Sequence, residues 1–198
     1  NSDLNERGIF VVDLSHLNPR QKEAAKYIDG PLLVLAGAGS GKTSVITRKI
    51  AYLIESCGIK AHHIAAVTFT NKASREMKER VSQLLQGGKG RGLTVSTFHN
   101  LGLNIIRSEY KAAGYRTGFS IIDQDDAKNI LKDIMMRDHD QDDDALDMVQ
   151  SAISNLKNDM LEPEQAINKA ENPQEMMIAQ CYSVYQRTLK AYNAVDFD

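Results

Sequence analysis

The chain has 198 residues and a formal net charge of −2 at pH 7, a length that allows one sizeable hydrophobic core or two small ones. The charge gives no overall basic character, so any nucleic-acid-binding surface has to be local. There is no signal peptide and no apolar run near the about 18 residues of a membrane span, and Cys57 and Cys181 match no metal or redox spacing, so we predict a cytosolic protein with reduced thiols.

The first elements can be predicted from capping residues and apolar spacing. Residues 1–16 mix charged residues with a short apolar run, and nothing in them indicates a role beyond that of an extension. Asn18 can cap a helix that starts with a proline and covers about residues 19–28. The continuous apolar run at residues 32–35 predicts a buried strand. A helix follows at about residues 41–56, and its predicted core-facing side consists of Val45, Ile46, Ile50, Leu53 and Ile54.

Between this strand and this helix, residues 36–43 have the sequence AGAGSGKT, which predicts a phosphate-binding loop. Glycines let successive backbone N–H groups converge on phosphate oxygens at the start of a helix, where the helix dipole also favours anions. Lys42 is predicted to reach the β- and γ-phosphates, and the Thr43 hydroxyl to hold Mg²⁺. The predicted ATP-binding residues of the loop are Ala36, Gly37, Ala38, Gly39, Ser40, Gly41, Lys42 and Thr43, with alanine at the first position where the strict motif has glycine.

Two more strands with helices between them predict a parallel sheet. We expect strands at residues 63–69 and 93–98, a helix at residues 71–85, and a flexible basic loop at residues 87–92. Ligands of such sheets bind at the carboxyl ends of the strands. The helix between the two strands has a face of basic residues that we interpret as solvated, namely Lys72, Arg75, Lys78 and Arg80.

Helical periodicity dominates the rest of the chain. Residues 111–189 are predicted to form a mainly helical second domain inserted into the α/β domain. The expected helix breaks are Gly114, residues 139–143, Pro163 and Pro173.

Five short stretches, taken in this order, resemble the UvrD/Rep/PcrA family of superfamily 1 DNA helicases, and most of all its Rep branch. They are LNPRQ at residues 17–21, AGAGSGKT at 36–43, AVTFTNKA through EM at 66–77, STFH at 96–99 and DFD at 196–198. The resemblance implies an α/β P-loop NTPase fold of the RecA-like type, with a parallel sheet flanked by helices. Within it we expect the motor domain at residues 17–110, the all-helical insertion at 111–189 and a return to the motor domain at 190–198.

The resemblance also implies roles for residues outside the loop. The glutamine that Gln21 matches recognises adenine in the family, and an amide suits this because it both donates and accepts hydrogen bonds. Ser44 stands where family members commonly have an arginine that helps to sandwich the adenine. Single-stranded DNA is expected to bind through an aromatic ring that packs against a base and through small polar groups that hold phosphate. The implied DNA-binding residues are Phe69, Thr70, Asn71, Thr97 and His99.

For the intact protein, the resemblance implies an ATP-dependent DNA helicase that couples hydrolysis of MgATP to 3′-to-5′ movement on single-stranded DNA. Its expected partners are single-stranded DNA, duplex or fork DNA, and replication or repair proteins, in the bacterial cytoplasm at the nucleoid. The family's Walker B carboxylates, arginine finger and second motor domain are expected beyond Asp198. The 198 residues alone are therefore expected neither to hydrolyse ATP at a useful rate nor to unwind DNA.

Some alternatives remain open. Residues 119–123 have the apolar-then-acidic character of a Walker B strand, but we reject Asp123 as a metal ligand because the stretch is short and begins the helical part. The acidic cluster at residues 140–144 is interpreted as a solvated turn, since it lacks the glycine and final glutamate of a calcium loop. The rival functions are another P-loop enzyme, such as a small-molecule kinase, and a non-catalytic module that binds nucleotide, DNA or another protein.

Overall fold

The computed structural model describes residues 12–85, 87–138 and 143–198. It is a mixed α/β structure with many helices and short pairs of parallel strands. The described part of the chain divides into two compact units, and the division falls between Leu103 and Asn104. Within these ranges, none of the helices combines the length and the hydropathy that a bilayer crossing requires.

The first unit contains three helices that follow the sequence prediction closely. Helix α1 covers Pro19–Lys26, α2 covers Lys42–Glu55 and α3 covers Asn71–Leu84. α1 begins with a capping box, in which the Asn18 side chain accepts a hydrogen bond from the Gln21 N–H and the Gln21 side chain accepts one from the Asn18 N–H. The start of α1 is therefore fixed by residues that are local in sequence.

Two parallel strands lie beside these helices. β1 covers Ala65–Thr68 and β2 covers Thr94–Thr97, and they pair in parallel so that their last residues, Thr68 and Thr97, lie opposite each other. α3 connects the two strands, so the parallel pairing predicted from the strand–helix–strand pattern is confirmed. Helix α4, Phe98–Glu109, follows β2 without a loop.

The core of the first unit is formed by apolar residues from the segment before α1, from the helices and from the strands. Val12 and Leu14, which belong to the predicted extension, are buried in it. Ile46 was predicted to face this core, and that prediction is wrong, because the side chain is 43% exposed. The other buried members are Leu17, Ala25, Val45, Ile50, Ala51, Ile54, Ala61, Ala66, Met77, Val81 and Leu85.

The buried strand predicted at residues 32–35 is also wrong for this chain. These residues form no regular structure, and Leu33 and Leu35 are 82% and 88% exposed. The physical reason is that a parallel strand needs neighbours to accept and donate its backbone hydrogen bonds. In the described ranges, the strands pair only as β1 with β2 and in one short pair of the second unit, so residues 32–35 have no strand partner there.

The second unit is mainly helical. Its helices are α5 (Gln124–Asp138), α6 (Asp143–Asn158), α7 (Pro163–Lys169) and α8 (Pro173–Ala191). Prolines start α7 and α8 at the two predicted breaks, and Asn172 caps α8 by accepting from the Glu175 N–H. The buried core of this unit is Ala127, Leu131, Ile134, Met135, Leu146, Val149, Ile153, Ala166, Ala179, Cys181, Tyr182, Tyr185, Leu189 and Ala194.

A small strand pair in this unit escaped prediction. β3 (Ser120–Ile121) pairs in parallel with β4 (Ala194–Val195), and these strands are too short to show an alternating pattern. The residue after β4, Asp196, is held by two nearly buried groups. Its Oδ2 atom accepts a hydrogen bond of 2.8 Å from the Tyr185 hydroxyl and lies 2.6 Å from the Lys157 ammonium nitrogen. These contacts attach the end of β4 to α6 and α8.

Two predictions lie outside the described residues. The first is the role of residues 1–11 within the predicted extension, and the second is the part of the predicted helix break (139–143) and acidic cluster (140–144) that falls at residues 139–142. The structure places the end of α5 and the start of α6 on either side of that break.

Tyr185→Phe is expected to make the protein less sensitive to alkali. Burial, and then the charge and hydrogen bond of Asp196, raise the pKa of Tyr185 above its ordinary value, so the folded state favours the neutral phenol. Its contribution to stability is complete below a pH of about 10 and is lost as the pH rises further, by up to about 1.4 kcal/mol per pH unit. Urea unfolding followed by circular dichroism above and below that pH measures this slope.

The matched control for this prediction is Tyr192→Phe, because the Tyr192 side chain is 66% exposed. We expect the control to keep the alkaline slope of the original chain. Equal slopes for Tyr185→Phe and the original chain would contradict the prediction.

Candidate functional site

The candidate site begins with Gln21, which joins α1 to the glycine-rich loop. Its backbone and side-chain oxygen form the capping box with Asn18, and its side-chain nitrogen donates a hydrogen bond of 2.9 Å to the Ser40 carbonyl. The Gln21 amide therefore holds the loop while it also caps its own helix. The predicted adenine contact of Gln21 stays a prediction, and the structure places the residue half-buried beside the loop.

A second contact fixes the other end of α1. The Lys49 ammonium group, on α2, donates to the Ala24 carbonyl at 3.0 Å and to the Tyr27 carbonyl. A cation suits this position because the last carbonyl groups of a helix carry partial negative charge. Burial lowers the pKa of Lys49. α1 is thus attached to the loop at its start and to α2 at its end, and sequence patterns alone gave no sign of Lys49.

The loop at residues 36–43 folds tightly around one carbonyl group. The Gly37 carbonyl accepts from the Ser40 hydroxyl at 2.6 Å and from the Lys42 ammonium group at 2.9 Å. Lys42 donates a second hydrogen bond of 2.9 Å to the Ala36 carbonyl. Lys42, which is predicted to bind phosphate, therefore lies across the same loop whose N–H groups are expected to hold phosphate oxygens.

Gly41 is the residue of the loop with the strictest backbone requirement. Its φ angle is +81°, which L side chains rarely adopt, and a Cβ atom added there would lie 3.1 Å from the Gln21 side-chain nitrogen. Gly41 immediately precedes α2, and in the described part of the chain no side chain caps that helix. The first N–H groups of α2 and its dipole are therefore directed toward the loop, as an anion site requires.

The residues at the start of α2 differ in exposure. Lys42 and Thr43 are exposed, so the Thr43 hydroxyl is accessible to a metal ion bound with phosphate. Ser44 is half-buried, and its carbonyl accepts from the Thr47 hydroxyl at 3.1 Å. Across the described ranges, no three His, Cys, Asp or Glu residues lie together as metal ligands. Asp123 belongs to the second unit, where its Oδ1 atom caps α5 by accepting from the Asp126 N–H.

The predicted DNA-binding residues gather where β1 and β2 end. Phe69 is 91% exposed, while Thr70 caps α3 by accepting from the Ala73 N–H at 3.1 Å. Asn71 is exposed, and its Oδ1 atom accepts from the Asn100 side chain at 3.2 Å.

On the neighbouring strand, Thr97 is 8% exposed and its hydroxyl oxygen accepts from the Asn100 N–H at 3.2 Å. His99 is exposed. Two further residues of this edge, Phe98 and Asn100, were not among the predicted site residues. Only the pairing of β1 with β2 reveals that they lie beside Phe69 and Asn71.

The basic residues of α3 are all exposed, as predicted for a solvated face. This holds for Lys72, Arg75, Lys78 and Arg80. They begin one residue after Asn71, so positive charge lies close in sequence to the edge formed by Phe69 and Asn71.

Gly41→Ala is expected to destabilise the protein, because alanine at a left-handed φ costs about 1–2 kcal/mol and the new methyl group crowds Gln21. Gly37→Ala is the matched control within the same loop, because a Cβ atom there would have nothing within 4 Å. We expect the control to change the free energy of unfolding by less than about 0.5 kcal/mol. Chemical unfolding measures both variants, and equal losses would contradict the assignment.

Comparison with known proteins agrees with this geometry. A family model described as the UvrD/REP helicase N-terminal domain matches residues 17–198. The ATP-dependent DNA helicase Rep of Escherichia coli is 52% identical over 182 residues, which are 92% of this chain and 27% of that protein. The ATP-dependent DNA helicase PcrA of Staphylococcus aureus is 43% identical over 186 residues, which are 93% of this chain and 25% of that protein.

The chain thus spans about a quarter of the length of these curated relatives, 27% of Rep and 25% of PcrA. The match covers all five stretches that carried the resemblance in the sequence, and it confirms that resemblance. The chain belongs to the UvrD/REP helicase N-terminal domain family.

Proposed function

We propose that the intact protein is an ATP-dependent DNA helicase that moves 3′-to-5′ along single-stranded DNA, and that this chain supplies its phosphate-binding part. Its fold is a RecA-like P-loop NTPase domain with an inserted helical domain. The observation that carries the proposal is the loop at residues 36–43, held by Gln21 at the uncapped start of α2. The relatives named ATP-dependent DNA helicases support it.

In this proposal ATP is bound by the loop and by the residues on either side of it. The loop N–H groups and the start of α2 hold phosphate oxygens, and Lys42 stabilises charge on the transferred phosphoryl group. Thr43 would contribute one hydroxyl ligand to Mg²⁺, which when bound neutralises phosphate charge. Gln21 binds the adenine edge while its helix stays attached to the loop. Because Ser44 has no planar group to stack, it holds adenine less tightly than an arginine in that position.

Single-stranded DNA binds at the edge where β1 and β2 end. Phe69 stacks against a base, and stacking tolerates every base because each has a π-face. Thr70, Asn71, Thr97 and His99 line the edge on which the backbone lies, and the exposed basic face of α3 adds positive charge close by.

We also propose that these 198 residues bind nucleotide and DNA without efficient hydrolysis or unwinding, because they span only about a quarter of the length of the helicases named Rep and PcrA. Double-stranded or forked DNA, together with replication or repair proteins in the bacterial cytoplasm, are the proposed partners of the intact protein.

Lys42→Ala is expected to weaken binding of a fluorescent ATP analogue, measured with Mg²⁺, by about 10-fold or more, since a charge-assisted contact to phosphate is worth about 1.5–3 kcal/mol. The matched control is Lys60→Ala, because Lys60 is an exposed lysine of the same unit outside the loop. We expect the control to bind like the original chain. Equal affinity of Lys42→Ala and the original chain would refute the nucleotide site.

Phe69→Ala is expected to weaken binding of an oligothymidylate by about 5-fold to 150-fold, because stacking on one base is worth about 1–3 kcal/mol. The salt dependence of binding should not change, since the ring neutralises no phosphate. Fluorescence anisotropy at several salt concentrations measures both quantities. Tyr192→Ala, which removes an exposed ring of the second unit, serves as control and should leave affinity unchanged.

A further inference from the structure

The exposed ring of Phe69 is set by the turn that connects β1 to α3. The Thr68 hydroxyl donates to the Thr70 carbonyl at 3.0 Å and also contacts the Ser74 hydroxyl. The Thr70 side chain then caps α3. Both threonines thus use their hydroxyl groups inside the turn, and the Phe69 side chain between them projects into solvent, 91% exposed.

The corresponding position after the next strand, β2, is Phe98. Because Thr68 and Thr97 are paired across the sheet, Phe69 and Phe98 are the residues that directly follow two adjacent strands. Their ring centroids lie 5.4 Å apart with an angle of 40° between the ring planes. Phe98 is itself 52% exposed, so this ring pair lies on the surface and not in the core.

A hydrogen bond joins the starts of α3 and α4 a few residues further on. The Asn100 side-chain nitrogen donates to Asn71 Oδ1 at 3.2 Å. The Asn100 N–H donates in turn to the Thr97 hydroxyl oxygen, which fixes Asn100 at the start of α4. The β1–α3 connection and the start of α4 are therefore linked twice, once by rings and once by amides.

We propose that Phe98 and Asn100 are positioning residues that hold Phe69 ready to stack on a base of single-stranded DNA. The inference rests on the proposed function and adds to it two residues of the neighbouring strand end. A base cannot enter between the two rings, since that needs about 7 Å between centroids, or two aromatic contacts of about 3.5 Å. The base stacks on the outer face of Phe69, while Phe98 supports the other face.

The gain from this support is preorganisation. A ring that is 91% exposed can change rotamer freely unless something holds it, and binding then costs the entropy of fixing it. Phe98 restricts the ring before DNA arrives, and the Asn71–Asn100 hydrogen bond keeps the starts of α3 and α4 at a constant separation. The effect should therefore act on contacts to bases and not on contacts to phosphates.

The test compares two ligands of equal length, an oligothymidylate and an oligomer of abasic sugar phosphates, by fluorescence anisotropy with the 198-residue chain. Phe98→Leu is expected to weaken oligothymidylate binding by about 3-fold to 10-fold and to leave abasic binding unchanged. Phe98→Tyr keeps a ring and should bind like the original chain. In a chain that already carries Phe69→Leu, adding Phe98→Leu should have no further effect.

Asn100→Ala is expected to act in the same direction as Phe98→Leu, with Asn104→Ala as the control from the same helix. Circular dichroism establishes that each variant is folded. If Phe69→Leu weakens oligothymidylate binding but Phe98→Leu does not, or if Phe98→Leu weakens both ligands equally, the positioning role is wrong and the proposed function stands. If the original chain does not distinguish the two ligands, base stacking fails, and the positioning role fails with it.

Discussion

The hydrogen bond from the Gln21 amide to the Ser40 carbonyl connects the only helix before the loop, within the described residues, to the loop itself. A single such bond contributes about 1 kcal/mol, which would be too little to fix a helix alone. It acts together with the capping box, which orients the same side chain, and with Lys49, which holds the far end of α1. Because the two attachments lie at opposite ends of α1, the helix cannot pivot without breaking one of them.

The strand pair imposes a comparable constraint on the proposed DNA-binding edge. The register puts Thr68 opposite Thr97, and each threonine hydroxyl forms a hydrogen bond with the backbone just after its own strand. Polar side chains at strand ends are easily interpreted as ligand contacts. Here the buried hydroxyl oxygen of Thr97 accepts a hydrogen bond from a backbone N–H group. The side chains that reach solvent are those of its neighbours Phe98 and His99.

Features that depend on local sequence were predictable. Asn18 with Pro19, and Asn172 with Pro173, gave the starts of α1 and α8 because a cap and its helix are adjacent in the chain. The glycine-rich loop was also predictable from its spacing. The prediction of a strand at residues 32–35 was wrong because an apolar run indicates only a tendency to be buried. A strand also needs neighbouring strands that form hydrogen bonds with its backbone. Phe98, Asn100 and Lys49 were missed for a related reason, since their partners are distant in sequence.

The position of Lys42 has a consequence for which anions the loop can hold. Its ammonium group donates to the carbonyls of Ala36 and Gly37, so an incoming phosphate has to take the lysine from two groups that already carry partial negative charge. In the proposed function, phosphate binding is therefore an exchange of hydrogen-bond acceptors at the lysine. Adjacent phosphates, which carry several full charges, attract the ammonium group more strongly than a singly charged anion does, and so compensate better for the two carbonyl contacts that are lost. The proposed site in this way favours a polyphosphate over a small single anion.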